Sequence, residues 1–290
     1  MASELIAVPA ALLAAGCNAM ASVLQRRAAR RTSTEPRRRR ALLGELIRRR
    51  VWLAGIGCLI AAFILQAVGL YLGGLSLVQP LLTVELPFAL LIAARLSRSP
   101  LGRQAWLAIA ALTGGLALLL IGAAPTPGNT SPSAVAWAVA AVSVGLLIGG
   151  LIAAARWKRG AARGALLGTA SGIGFALTAA LMKAATERAQ NGIAEVFASW
   201  QLYAMAAAGV GSLLLLQYAL QSAALAVTQP ALTISDPVAS TALGVAMFGE
   251  RIRLDGWIVL EVAGIGLMLW GAILLASNPV SSPQAGRNRL

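Results

Sequence analysis

The sequence predicts an all-α polytopic membrane protein of about nine transmembrane helices, arranged as an inverted 4+1+4 repeat. The chain has 290 residues, of which 58% are hydrophobic and only 12% are charged. A soluble domain carries about 25% charged residues, so this composition indicates a membrane protein. The apolar residues are also gathered into segments of about 20, the length that an α-helix needs to cross a bilayer.

Nine apolar segments reach this length. They lie at 5–24, 51–72, 75–95, 105–123, 133–155, 164–183, 197–217, 223–248 and 257–276. Splitting the seventh segment into two crossings would leave about 12 residues for each, which is too short, so nine spans are favoured over ten. We divide the chain into a first transmembrane repeat, a connecting span, a second transmembrane repeat and a polar tail, at 1–125, 126–160, 161–278 and 279–290.

The positive charges predict the orientation. Eleven arginines lie in the loop 26–50, which runs directly into apolar segments at both ends. Loops rich in Lys and Arg stay in the cytoplasm, and the same charges attract anionic lipid. With this loop inside, twenty basic residues lie in the cytoplasm and four outside. We therefore expect a multi-pass protein of a bacterial plasma membrane, with the N-terminus outside and the C-terminus in the cytoplasm. Because the charges adjoin the spans, nucleic acid is not an expected partner.

Several kinds of chemistry are disfavoured. The chain has no histidine, so His-based acid–base catalysis and His-ligated metals are excluded. Cys17 and Cys58 both fall in apolar spans and are interpreted as packing residues. There is no Gly-rich loop ending in Lys-Ser/Thr for ATP phosphates. We expect neither an enzyme nor a cofactor.

Two similar polar segments interrupt the apolar sequence, at Gln79–Pro87 and Gln229–Pro237. Each contains two prolines seven positions apart, and proline removes a backbone donor and bends a helix. The four predicted helix kinks are Pro80, Pro87, Pro230 and Pro237. A duplicated pair of interrupted polar helices is the sequence pattern that marks the central site of a transporter.

The same two segments supply the candidate binding residues. Glu85 and Asp236 lie one position apart when the repeats are aligned, and a charge inside the membrane costs about 2.5–3.5 kcal/mol. We predict that this pair binds a cation, a proton or a substrate amine, although either could instead be satisfied by neighbouring polar groups. Four further residues could bind substrate or replace hydrogen bonds lost at proline, namely Gln79, Thr83, Gln229 and Thr233.

Weaker candidates lie in other spans. Glu261 could face the transport path or could reach the surface with its long side chain. Asn18, Trp200, Gln201 and Tyr203 could line a cavity, although Trp and Tyr near the end of a span are commonly interfacial anchors.

The repeat is inverted because one connecting span separates the two groups of four. Trp106 and Trp257 open the fourth and ninth spans, and Arg26 and Lys183 are expected to end the first and sixth. Two inverted halves around a midplane site are the architecture of alternating access.

The segment Phe248-Gly249-Glu250-Arg251, with Pro237 before it and a Gly-rich span from Glu261 after it, resembles the drug/metabolite transporter (EamA-like) superfamily. The chain differs from ten-span members in lacking one span in each half, and its first half ends Ala94-Arg95-Leu96 without the Gly-Glu pair. The 4+1+4 plan and Leu24-Gln25-Arg26 are closer to the NIPA-type magnesium transporters. The resemblance implies a secondary transporter or a cation carrier.

Three functions follow as hypotheses. The first is a secondary transporter of a small metabolite or amphipathic compound. The second is a divalent cation transporter, magnesium foremost, because Mg²⁺ needs only one or two carboxylates and Glu85 and Asp236 could supply them. The third is a non-transporting scaffold. The sequence also allows the protein to form a homodimer.

Overall fold

The computed structural model describes residues 2–30, 50–97, 100–128, 131–253 and 256–276. Within these ranges the protein is all-α, and nine helical segments are long and apolar enough to cross a membrane. The predicted fold class is confirmed.

The described residues form eleven α-helices. Ten of them make up the nine spans, because the third span is divided in two, and one short helix lies between spans. The helices are α1 Ala2–Arg30, α2 Arg50–Gly73, α3 Leu75–Leu82, α4 Glu85–Ser97, α5 Arg103–Ala123, α6 Ala134–Arg156, α7 Gly160–Glu187, α8 Ile193–Ala198, α9 Trp200–Ser222, α10 Leu225–Phe248 and α11 Ile258–Ala276. A short 3-10 helix, Arg188–Asn191, follows α7.

Two helices continue beyond the ends that the sequence predicted. Helix α1 runs to Arg30, so the first arginines of the basic loop are still helical. Helix α7 runs to Glu187, which places Lys183 inside the helix and not at its end. The rest of the basic loop, 31–49, and the tail from 277 lie outside the described residues, so the predicted lipid contact lies there too.

The two proline segments differ in backbone structure. In the first segment the helix stops at Leu82 and restarts at Glu85. Two backbone hydrogen bonds of the i→i−3 type bridge the break. The Thr83 N–H donates to the Pro80 carbonyl at 3.1 Å, and the Val84 N–H donates to the Leu81 carbonyl at 3.2 Å. Pro87 then falls in the first turn of α4, where its missing N–H costs nothing. The second segment lies within the uninterrupted helix α10, so only the first segment interrupts its helix, and the kinks at Pro230 and Pro237 stay a prediction.

Helix packing repeats between the halves. Helix α1 packs on α2 and on the broken span α3/α4, and α7 packs in the same way on α9 and α10. Across the halves, α5 pairs with α11, and α3 contacts α10. The α5–α11 contact is close, because a Cβ added to Gly115 would lie 2.6 Å from the Gly264 carbonyl oxygen. These equivalent pairings fit the inverted repeat, with α6 as the connecting span.

Candidate functional site

A buried ion pair lies at the end of the bundle where α10 finishes. Glu250 follows this helix after Gly249, and its Oε1 lies 2.8 Å from Lys183 Nζ on α7. The Lys183 and Glu250 side chains are only 3% and 1% exposed. Burying two charges is costly unless their geometry and remaining hydrogen bonds are good, so the surroundings of the pair decide whether it is tolerated.

The Glu250 carboxylate also caps the N-terminus of α3. It accepts hydrogen bonds from the Leu75 and Ser76 N–H groups at 2.7 and 2.8 Å, and from Ser76 Oγ at 2.5 Å. The first N–H groups of a helix have no partner within the helix, and the helix dipole favours a negative charge there. One carboxylate therefore connects α3 of the first half with α7 and α10 of the second.

Space for this carboxylate depends on two glycines. Gly74 has φ 77°, a conformation that favours glycine, and an added Cβ would lie 2.5 Å from Glu250 Oε1. An added Cβ on Gly244 would collide with Glu250 Oε2. Pairing between two loops fixes the backbone next to Glu250, since the Thr126 N–H donates to the Arg251 carbonyl at 2.9 Å.

Aromatic rings surround the other side of the ion pair. Lys183 Nζ lies 4.4 Å from the centre of the Phe248 ring, a favourable cation–π geometry. The Trp137 ring packs edge to face against Phe248, with 6.5 Å between the ring centroids, and the Trp200 ring packs in the same way against Trp137, with 5.3 Å between the centroids. The ammonium is thus held between a carboxylate and an aromatic face.

A cavity of about 750 Å³ opens beside this ion pair, and we call it the Lys183 cavity. Its wall combines residues from both halves and the connecting span, including Tyr71, Trp137, Lys183, Glu187, Arg188 and Gln201. The volume is within the range of small-molecule sites, about 300–1,000 Å³.

Two acceptors in the wall have no hydrogen-bond donor among the described residues. Gln201 is 4% exposed, and its buried Oε1 has no partner. The Glu187 carboxylate, one helical turn after Lys183, makes no hydrogen bond or ion pair within the described part of the chain. These groups are therefore available to a ligand with donors.

The weaker predictions from the first and seventh spans lie in different places. Gln201 lies in the wall of the Lys183 cavity, and Trp200 stacks edge-on behind Trp137. Tyr203 is exposed, and its hydroxyl donates to the Phe197 carbonyl at 3.0 Å. Asn18 lies half-buried on α1.

Glu85 and Asp236 are not brought into this cavity. Glu85 begins α4 and accepts a hydrogen bond from Ser22 Oγ of α1 at 3.3 Å. Asp236 lies on α10 and accepts one from Ser240 Oγ of the same helix at 3.2 Å. Each carboxylate has a local hydroxyl partner, and their shared binding role stays a prediction.

The remaining polar residues of the two proline segments also lie in different places and do not form one site. The Thr83 hydroxyl donates to the Pro80 carbonyl at 2.7 Å, which fits the interpretation that it compensates for the interrupted helix. Gln79 is buried on α3, and Gln229 is half-buried on α10. Thr233 lines a second, smaller crevice together with Glu261.

Sequence reasoning missed the role of Lys183 and Glu250. Glu250 was part of the motif that carried the family resemblance, and Lys183 was expected at the end of the sixth span, among the four basic residues on the outer side. A signal was available, because Lys183 is one of only two lysines among 24 basic residues. Their contact depends on bringing together positions 67 residues apart, which no local pattern reveals.

The fold and the site together define a polytopic α-helical membrane protein. No protein-family model matches the chain, and no solved structure matches it. The chain is similar over its whole length to an uncharacterized protein of Corynebacterium glutamicum, with 28% identity over 291 aligned positions that cover 100% of both chains. The resemblance to the drug/metabolite transporter superfamily stays a prediction.

Proposed function

We propose that the protein is a secondary transporter that moves a small polar or amphipathic metabolite by alternating access. The observation that supports this function best is the Lys183 cavity, which is lined by both halves of the repeat and adjoins the buried Lys183–Glu250 pair. A transporter of this kind needs a cavity on one side of the membrane and contacts between its halves that can open and close.

The ion pair is suited to this role because it joins elements of both halves. Glu250 holds the N-terminus of α3 against α7, and Lys183 also lines the cavity. A substrate that contacts Lys183 would compete with Glu250 for the same ammonium group. Release of Glu250 would free the N-terminus of α3, so substrate binding and helix movement would be coupled.

The cavity wall also supports the choice of substrate. Glu187, Arg188 and Gln201 offer a carboxylate, a guanidinium and an amide, and Trp137 offers an apolar ring. This mixture suits a small molecule with polar and apolar parts. The positive charge of Lys183 disfavours a bare divalent cation at this position, so we prefer the metabolite carrier to the magnesium alternative.

Transport by the purified chain in liposomes tests the proposal. Vesicles loaded with a mixture of small metabolites are diluted, and the released compounds are identified by mass spectrometry, with Mg²⁺ flux followed in parallel by a fluorescent indicator. We expect metabolite release through the wild-type protein, loss of release in Lys183→Met, and normal release in the control Glu195→Gln, which changes an exposed carboxylate.

A double variant separates loss of transport from loss of folding. Lys183→Met/Glu250→Gln removes both charges of the pair, and the glutamine keeps a side-chain oxygen that can accept from the N–H groups at the start of α3, so this variant is expected to fold without transporting. Unchanged release from this variant would contradict the proposal. Mg²⁺ flux without metabolite release would instead favour the cation alternative.

A further inference from the structure

We propose that the protein has a second binding site, separate from the Lys183 cavity, which takes the ammonium group of a lipophilic amine from the membrane. The site is a crevice of about 150 Å³ between α5, α10 and α11, which we call the Glu261 crevice. It shares no lining residue with the Lys183 cavity.

The crevice has an open side next to the middle of α10. Most of its wall is apolar, formed by Leu119, Ile234, Pro237, Val238, Ile265 and Met268. Val238 is 50% exposed although it lies in the middle of α10, far from either end of the span. We infer that an exposed apolar residue at this depth faces lipid, so that a molecule dissolved in the bilayer can enter from the side.

Glu261 provides the polar end of the crevice. Its Oε1 is buried and has no hydrogen-bond partner among the described residues. The side chain is held in place by close packing on α5, where a Cβ added to Gly122 would lie 2.9 Å from Glu261 Cγ. A buried polar atom without a partner costs free energy, and a ligand that supplies a donor removes this cost.

The chemistry of the wall identifies the ligand class. Glu261 needs a donor, and the carboxylate favours one that carries a positive charge, while the rest of the wall requires an apolar body. The hydroxyls of Thr233 and Thr241 are the other side-chain polar groups of the wall.

The same wall argues against a phospholipid. An aminophospholipid headgroup would bring a phosphate next to its ammonium, and the crevice has no Lys or Arg in its lining to pair with that phosphate. A simple lipophilic amine brings only the positive group and is the better match.

Binding to the full chain in nanodiscs of phosphatidylcholine tests this site, because the quaternary headgroup of that lipid has no N–H donor. The probe is a fluorescently labelled alkylamine, and its N-acetylated analogue is the uncharged control. We expect the amine to bind at least about tenfold more tightly than the analogue, the range of one charge-assisted hydrogen bond. Glu261→Gln should remove this difference.

Two further variants make the test specific. Thr241→Trp should weaken binding of both compounds by filling the crevice, and Glu195→Gln, an exposed carboxylate that lines neither cavity, should leave amine binding unchanged. Thermal unfolding of each variant checks that it is folded.

Three results would overturn the site: equal binding of the amine and its acetylated analogue, unchanged amine selectivity in Glu261→Gln, or displacement of the amine by phosphatidylethanolamine added to the nanodisc. The last result would assign the crevice to a lipid headgroup. Since the measurement is binding without transport, it can fail while the transport proposal holds, and the reverse is also true.

Discussion

Lys183 Nζ and Glu250 Oε1 lie 2.8 Å apart inside the bundle, and the same carboxylate caps a helix that belongs to the other half of the repeat. The pair is therefore both a contact within the second half and a connection to the first. We therefore expect loss of the ion pair to affect both the stability of the fold and transport.

Breaking the ion pair on one side should destabilise the fold. Glu250→Gln leaves the Lys183 ammonium buried without a countercharge, and removing one partner of a buried pair costs about 3–5 kcal/mol. We expect a lower unfolding temperature in detergent for Glu250→Gln than for Lys183→Met/Glu250→Gln, in which the uncompensated ammonium is also removed. Equal unfolding temperatures for the two variants would contradict a charged, structurally important pair.

The glycines around Glu250 should tolerate no side chain. Gly244→Ala and Gly74→Ala each place a methyl group against the carboxylate, and the second also strains a backbone with φ 77°. We expect both to lower the unfolding temperature. Gly57→Ala is the matched control, because an added Cβ there meets nothing within 4 Å. A loss in Gly57→Ala as large as in the other two would show that the effect is not local to Glu250.

The predicted orientation can be tested by chemical labelling. The test uses a chain with Cys17 and Cys58 replaced by alanine. Glu187→Cys lies at the end of α7, which the predicted orientation places outside the cell, so it should react with a membrane-impermeant maleimide added to intact cells. Arg159→Cys, exposed between α6 and α7, should react only after the cells are permeabilised. The reversed pattern would refute an N-terminus outside the cell.

The carboxylates of the two proline segments give a separate test. Asp236→Asn keeps an oxygen that can accept from Ser240, so this variant should fold normally, and the unfolding temperature of Glu85→Gln, which keeps an oxygen for Ser22, is measured beside it. We expect transport in liposomes to fall in both if these residues bind substrate or a coupling ion. Normal transport in both would limit Glu85 and Asp236 to a packing role.

The sequence predicted the fold well because a bilayer imposes a simple rule on length and apolarity. The nine predicted segments coincide with nine suitable helices in the described residues. The break at Thr83 and Val84 also lies where two prolines pointed. The second proline segment shows the limit of this rule, since proline weakens a helix at one bond and the packing of α10 keeps it continuous.

The composition and spacing of the chain by themselves determined an all-α membrane protein and predicted two related halves, because hydrophobicity and proline act locally along the chain. Only the tertiary structure decided which charges are paired. Glu250 and Lys183 are separated by 67 residues and by the intervening span α9, and their contact arises when α3, α7 and α10 pack together. Burial and charge pairing are properties of the assembled bundle, and so the site around Lys183 and Glu250 exists only in the tertiary structure.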